Sequence, residues 1–535
     1  MSQFTFVYVP ADTRNIKIFT PKRTLAVMAQ ILQDNNIDNN IYDFGVPEAI
    51  HFFSNYTTKN KFNNTSGHKI GSWFTKLFGM EKNKKGIRDN YLKWIYRNLK
   101  ISSQTVCLLF WIENREELII ARILADEIRK NKQDQKLYIL GVGPYFNYTG
   151  PYVMTHLPEF NGILINHYEM ALLPLWEHIV LGKSRDFIPN YVYFEGGEIH
   201  IGPVNQLLTI DELPIPTYET YNALLEGSKF NIFTLEQVRN GRIGYSEPYR
   251  LKQYINSSVN RLLDEISNLR ERYNTWTFHI DNEMASSEDV QAFSLALLKS
   301  SHFITYSRAF HCLNIQGDWV HSLHLSGCRA LSVYVPTGSQ RLLSKYYGCM
   351  RTISSLEAAI SSFVGANFYT SIQCTYPCSE EDRHTFAETL RFIERVKPDT
   401  LKVSPASLWP DSTWWENLSS FNFDIDPSDY FPWLAGEQSS KDYLHWKPFD
   451  ISILENKIME LNITSQSNEL MGIILQVLQI SRGQKFFKHS LWKTLLEGDV
   501  DSFQDIISQF NAQLKKRIRE EEWNLRKYDY KSVAN

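Results

Sequence analysis

The residues whose types and spacing suit chemistry are few. Asp281 and Glu283 lie two apart near the end of an apolar run that reads as a strand. Their carboxylates therefore share a face and are the best candidates for binding a polar ligand. Arg308 follows Tyr306-Ser307 and suits either an acidic ligand or a structural salt bridge. His321 and His324 lie three apart on a predicted helix with His311 nearby. No neighbouring Glu offers a general base and no clear third ligand stands beside them, so no metal site is expected. The six cysteines, Cys107, Cys312, Cys328, Cys349, Cys374 and Cys378, are too few for a disulfide framework in 535 residues. Cys374 and Cys378 read as two buried or half-exposed thiols; zinc there needs further ligands, of which His384 is the nearest. The chain has no phosphate loop and no Gly-x-Ser-x-Gly elbow, and Gly141-Val-Gly143 lacks the third glycine of a dinucleotide fingerprint.

An alternation of strands and helices must position these groups. Residues 4–9 are a β-rich apolar run, 24–33 place Leu25, Met28, Ile31 and Leu32 on one helical face, and 41–44 follow as a short strand. Residues 55–85, rich in Asn, Lys, Thr and Gly, read as an inserted loop, and 84–100 as an amphipathic helix carrying Ile87, Tyr91, Trp94, Ile95 and Leu99. Strands at 106–111, 137–140 and 162–165 then alternate with helices at 116–128 and 169–179. The pattern predicts a parallel sheet with helices on both faces, its ligand loops being 10–21, 141–145 and 166–169. A hairpin at 191–202 and the prolines of Leu213-Pro-Ile-Pro216 close this unit. Six further strands, at 230–234, 276–280, 303–307, 330–335, 368–373 and 401–403, predict a partial open barrel with its chemistry at the carboxyl ends. Beyond about 414 the alternation stops, and helices at 451–461, 468–481 and around the stripe Phe503, Ile506, Ile507, Phe510, Leu514 and Ile518 follow. The expected domains are thus 1–212, with an insertion at about 55–100, a linker at 213–228, a barrel at 229–420 and a mainly helical region at 421–535.

Composition sets the class. Hydrophobic residues make up 43% and charged residues 21%, as in ordinary globular proteins, and the net charge of −3 gives no pull toward nucleic acid or membrane. No apolar run approaches the roughly 20 residues of a membrane helix. The N-terminus has no basic start leading into a long apolar run, so a cytoplasmic location is expected.

In this order the parts resemble the cobalamin-dependent radical S-adenosylmethionine (SAM) family over roughly residues 4–420. Leu140-Gly-Val-Gly-Pro144 is similar to that family's Gly-Gly-Pro turn, and Glu169 of Asn166-His-Tyr-Glu169 matches one acid of its Gly-Glu-Gly-Glu phrase. Asp211-Glu-Leu-Pro-Ile-Pro216 followed by Tyr218 resembles the linker. Phe278-His-Ile-Asp-Asn-Glu283 resembles the second barrel strand, and Gly327-Cys-Arg329 with Gly338-Ser-Gln-Arg341 the flanks of the fourth. The resemblance implies an α/β chain made of a Rossmann-like cobalamin domain, a linker and a six-stranded partial barrel. It implies cobalamin contacts from Pro21, Thr24, Gly141, Gly143, Pro144, Tyr145, Asn166 and Glu169, and barrel-ligand contacts from Asp281, Glu283, Arg308 and Ser339.

The departures are as informative. The family holds a four-iron cluster on Cys-x3-Cys-x2-Cys just after the first barrel strand. Here that stretch reads Thr234-Leu-Glu-Gln-Val-Arg-Asn-Gly-Arg-Ile-Gly244, without a cysteine, and no common residue replaces three thiolates. Cys374 and Cys378 have the first spacing, but Glu381 takes the third place. Pro336 stands where the family has an acid that contacts the nucleoside, which makes SAM a doubtful ligand. An iron–sulfur cluster is not expected. Cobalamin, without an Asp-x-His-x-x-Gly motif to supply an axial histidine, would be held by loops alone. The expected function is that of a cobalamin-binding protein without a functional iron–sulfur site, modifying a small molecule or peptide, for example by methyl transfer, in specialised biosynthesis. The alternatives are a catalytically inactive scaffold or substrate-binding partner of an active radical SAM enzyme, and a SAM-binding enzyme of non-radical chemistry. Catalytic residues are left unassigned.

Overall fold

The computed structural model describes residues 3–11, 21–45, 82–131, 136–205, 207–221, 233–240, 254–273, 275, 277–280, 285–300, 302, 304–347, 349, 351–366, 368–375, 380–404, 408–410, 412–421, 423, 425–437 and 464–465. The first unit is a seven-stranded sheet of β1 (Gln3–Tyr8), β2 (Asp38–Asp43), β3 (Thr105–Trp111), β4 (Tyr138–Val142), β5 (Gly162–Leu164), β6 (Tyr191–Glu195) and β7 (Glu198–Ile201), in the order β2-β1-β3-β4-β5-β6-β7. The first five are parallel. Their nearly continuous apolar runs, such as Phe4, Phe6, Val7 in β1 and Cys107–Trp111 in β3, suit strands covered on both faces. The covering helices are α1 (Arg23–Asp34), α2 (Lys82–Asn98), α3 (Arg115–Asn131), α4 (Pro144–Val153) and α5 (Leu172–Leu181).

The amphipathic helix expected at 84–100 forms as α2 and belongs to this layer. It buries Tyr91 and Ile95, and its Tyr91 hydroxyl donates to the Pro10 carbonyl at 2.9 Å. Residues 55–81 of the expected insertion lie outside the described residues. The expected hairpin turns on Gly196 and Gly197, both in the left-handed region, and extends the sheet antiparallel from β5.

The second unit is an all-parallel sheet of β8 (Phe233–Leu235), β11 (Thr277–Ile280), β12 (Thr305–His311), β13 (Cys328–Tyr334), β14 (Tyr369–Thr375), β15 (Thr400–Ser404) and β16 (Thr464–Ser465), in that order from one edge to the other. Between them run α6 (Val259–Tyr273), α7 (Ser287–Lys299), α8 (Val320–Leu325), α9 (Gln340–Tyr347), α10 (Ile353–Gly365) and α11 (Arg383–Val396). All six expected barrel strands form, with ends shifted by a few residues.

Two short pairings were not read in the sequence. Val238–Asn240 and Tyr254–Asn256 (β9 and β10) pair antiparallel in the stretch after β8. Thr464–Ser465 adds a strand beside β15, in a region expected to be mainly helical. Strands of two or three residues are too short to leave a period-two signal. Past the barrel, α12 (Pro427–Leu434) leaves the second unit and packs on α4 of the first. The expected helices at 451–461, 468–481 and the stripe from Phe503 lie outside the described residues.

Candidate functional site

Strand order β2-β1-β3 puts a switch point between β1 and β3, where open α/β sheets bind ligands. Tyr8 ends β1 there, Asp43 ends β2, and Glu113 and Glu117 follow β3. Lys22, ahead of α1, reaches across with Nζ 2.7 Å from Glu113 Oε1 and 4.0 Å from the Tyr8 ring centroid. Glu117 is wholly buried and accepts from the Tyr8 hydroxyl at 3.2 Å and the Glu113 N–H at 2.7 Å. Burial, with the Glu113 charge beside it, pushes its carboxyl up to about 8, so it holds a proton at neutral pH. Burial likewise raises Asp43 to about 6 against the pull of Lys22. The sequence reading missed this cluster. Its signal was available: acids standing immediately beyond apolar strand runs.

A second charged cluster joins the two units. Arg23 at the start of α1 forms two hydrogen bonds to Glu265 of α6, at 2.8 and 2.9 Å, and one to Glu236 at 2.7 Å. Glu236 is the residue after β8. Arg239, on β9, pairs with Glu236 at 2.8 Å and with Glu169 of the first unit at 2.9 Å. Burial would raise Glu236, but Arg239 and Arg23 outweigh it and hold its carboxyl down at about 2. The stretch that the resemblance assigns to a cluster loop thus binds two arginines through its carboxylate and carries one of them itself.

The cobalamin candidates fall into two groups. Asn166, His167 and Glu169 lie on the loop after β5 with acceptors left over. The Asn166 Oδ1, the His167 Nδ1 and the Glu169 Oε2 are buried without a hydrogen bond, whereas the Glu169 Oε1 is held by Arg239 at 2.9 Å. Burial and Arg239 lower the His167 imidazole below its ordinary range. Pro21 is buried and Thr24 half-buried at the start of α1, beside Lys22 and Arg23. By contrast, Gly141, Gly143 and Tyr145 serve the chain's own packing. A side chain on Gly141 would run into Phe146, at 2.4 Å. Gly143 has φ 128° and lies against the Ile112 carbonyl. Pro144 is exposed at the first position of α4. The Tyr145 hydroxyl donates to the Leu434 carbonyl at 2.7 Å.

In the barrel, strand pairing puts Thr234, His279, Ser307, His311, Ser332, Tyr334, Ser371 and Thr375 on one face. This inner face is lined by hydroxyls and imidazoles. His279 Nδ1 is 2.7 Å from the Ser307 hydroxyl, and Tyr334 and Thr375 are joined at 2.9 Å. The interior of a closed eight-stranded barrel is dominated instead by branched apolar side chains. Arg308 is on the opposite face, with Tyr306 and Phe310, whose rings meet Phe293 of α7 and Trp319. Its guanidinium is wholly buried and donates to Gln237. Ser339 is buried ahead of α9, its hydroxyl without a partner. Asp281 and Glu283 lie outside the described residues, as does Cys378. Among the described residues no three His, Cys, Asp or Glu side chains converge as a metal site, and no helix is long and apolar enough to cross a membrane.

No family model and no curated protein matches the sequence. Solved structures do. The radical SAM methyltransferase TsrM from Kitasatospora setae, with cobalamin and an iron–sulfur cluster bound, superposes with a TM-score of 0.59 at 11% identity, covering 96% of this chain and 100% of that one. TsrM with tryptophan and a SAM analogue gives 0.57 at 12%, over 78% and 76%. The cobalamin-dependent radical SAM enzyme OxsB, with aqua-cobalamin and SAM bound, gives 0.55 at 14%, over 98% and 81%. At such identities the likeness is one of fold: a Rossmann-like sheet followed by an open parallel barrel, the fold of the cobalamin-dependent radical SAM enzymes.

Proposed function

We propose that this chain is a cobalamin-binding protein on the radical SAM fold that works without an iron–sulfur cluster, modifying a small molecule or peptide, as by methyl transfer. The observation that carries the reading is the use of the stretch after β8. Glu236 and Arg239 are tied into ion pairs with Arg23 and Glu169, and residues 234–244 contain no thiol. The donor set there does not fit a four-iron cluster, which needs thiolates.

Cobalamin does fit the loop after β5. A corrin ring is rimmed by carboxamides, and the spare acceptors of Asn166 and His167, with the second oxygen of Glu169, suit their N–H groups. When bound, cobalamin supplies methyl transfer at cobalt. The chain's own residues would orient the ring through this loop and through Pro21 and Thr24. The hydroxyl-lined barrel face would hold a polar substrate by hydrogen bonds.

A second reading is an inactive scaffold or a substrate-binding partner of an active radical SAM enzyme. It is favoured by Tyr145 and Gly143, which are taken up by internal packing. One experiment separates the two. The protein is incubated anaerobically with hydroxocobalamin, iron and sulfide, desalted, and measured by visible spectroscopy and metal analysis. One cobalt per chain without iron supports the proposal. Neither metal favours the scaffold, and a bound iron–sulfur cluster overturns both.

A further inference from the structure

Eight of the ten large hydrophobic side chains that stand exposed among the described residues lie between Val180 and Leu208, around the β6–β7 hairpin at one edge of the first sheet. Exposed apolar side chains are ordinarily scattered singly; gathered on one hairpin they mark an interaction site. The strand pairing shows which side is bare. Tyr193 lies opposite His200, and their rings stack at 5.0 Å. Arg185 covers that side, its guanidinium 4.3 Å from the Tyr193 ring, and Asp186 accepts the Tyr193 hydroxyl at 2.6 Å. Phe194 lies opposite Ile199 on the other side, with Ile201 two residues on, and all three are exposed.

The backbone of β7 is open along the same edge. The Gly202 N–H donates to the Tyr191 carbonyl at 2.8 Å, and bonded pairs alternate along an antiparallel ladder. Tyr193–His200 and Glu195–Glu198 are therefore the other bonded pairs, and Ile199 and Ile201 turn their N–H and C=O groups away from β6. β7 is the last strand of the sheet, and no hydrogen bond among the described residues takes up these groups. Protected edges carry charges, proline or a bulge at such places, whereas this one carries two isoleucines.

We propose that β7 pairs antiparallel with β7 of a second copy of this chain across a two-fold axis, joining two seven-stranded sheets into one. The strand is its own complement. With the axis through Ile199, Ile199 meets the partner's Ile199, and each Glu198 meets the partner's His200. Ile201 then lies opposite the partner's Gly197, where no side chain obstructs it. This register also answers a charge imbalance within the hairpin. Glu198 stands directly opposite Glu195, a like-charge pair, and Glu195 is already paired with Arg185. Glu198 has no ion pair among the described residues. The two-fold brings an imidazole beside it in each copy without any further group. An axis through His200 would instead set the two imidazoles against each other and leave Glu198 opposite Gly202.

The test is sedimentation of the intact, reduced chain from about 1 to 100 μM, a range in which modest interfaces associate. The expected result is a monomer–dimer equilibrium. Ile199→Pro removes an N–H that the hairpin itself does not use and costs the dimer one ladder bond from each copy, so dimerisation should weaken by about tenfold or more. The double variant I199K/I201K, which charges the edge and leaves the backbone intact, should do the same, and circular dichroism checks both for folding. On mild oxidation I199C should give a disulfide-linked dimer beyond any formed by the parent chain, because opposed Cα atoms of a bonded pair are about 5.5 Å apart, within disulfide reach; H200C should not. The proposal is overturned if the chain stays a monomer at every concentration, if the dimer survives both edge variants, or if H200C cross-links and I199C does not. A monomer that instead sediments with phosphatidylglycerol vesicles overturns it in favour of a lipid surface.

Discussion

Arg239 Nη1 stands 2.9 Å from Glu169 Oε1, and this contact ties the start of the barrel to the loop after β5 of the Rossmann-like sheet. Glu169 has a side chain only 1% exposed, and Arg239 13%. Both charges are therefore largely out of water. Removing one strands the other, which costs about 3–5 kcal/mol for a buried pair. Arg239→Ala should lower stability by that order in chemical denaturation. Glu169→Gln, which leaves Arg239 its partner Glu236, should cost clearly less. Equal losses would mean that the bridge adds nothing beyond the Glu236 pair.

The pH dependence of stability should expose Glu117. Its folded carboxyl is raised to about 8, while the unfolded one titrates at about 4.3. The folded state therefore holds the proton more tightly, and stability from this group is full below about 4.3 and is lost as pH rises through about 8. Glu117→Gln cannot lose the proton and still accepts from Tyr8. Relative to the parent, the variant should gain roughly 2–5 kcal/mol between pH 5 and pH 9. Urea unfolding at several pH values measures this, and a constant difference across the range would refute the assignment.

Gly143 is fixed by backbone and by space at once. Its φ of 128° is rarely open to other residues, and an added Cβ would sit 2.4 Å from the Ile112 oxygen, which is backbone and cannot swing aside. Gly143→Ala should destabilise the first unit by at least about 2 kcal/mol. Gly182→Ala, also at positive φ but with nothing near its Cβ, should cost about 1 kcal/mol or less. A thermal melt of each variant compares the two.

What could be read in the sequence follows from the length of each signal. β3 and α3 are long and strongly patterned: Leu108, Leu109 and Phe110 run without a break, and Leu118, Ala121, Leu124 and Ile128 recur on one face. The strands and helices of the alternation were legible from such runs. The charged clusters were not. Arg23 and Glu265 are 242 residues apart, and Lys22 and Glu113 are 91 apart. Only the fold brings them together, since pairing over such distances leaves no local pattern. Arg308 shows the complementary failure. A strand position marks a face only when the register of its neighbours is known, and here Tyr306 and Phe310 carry Arg308 toward the helices. The cysteine-free stretch after β8 was legible, but that it supplies Arg239 to Glu169 was not.

Tyr145 decides between a ligand contact and a packing role. Its ring is buried 5.8 Å from Trp409, and its hydroxyl donates to the Leu434 carbonyl at the end of α12. Arg115 holds the same end, donating to the Trp433 carbonyl at 2.5 Å with its guanidinium 4.6 Å from the Trp433 ring. Tyr145→Phe keeps the ring and leaves a buried carbonyl with one partner fewer, which costs about 1–3 kcal/mol. Arg115→Ala should loosen α12 further and speed proteolysis near 434. If the hydroxyl serves only this joint, Tyr145→Phe lowers stability but changes cobalamin affinity by less than about twofold, a difference of about 0.4 kcal/mol. Glu169→Gln, on the loop with spare acceptors, should weaken cobalamin binding well beyond that. A titration of both variants with hydroxocobalamin reads the contrast, and a larger loss at Tyr145 than at Glu169 would move the ligand to the β4 edge.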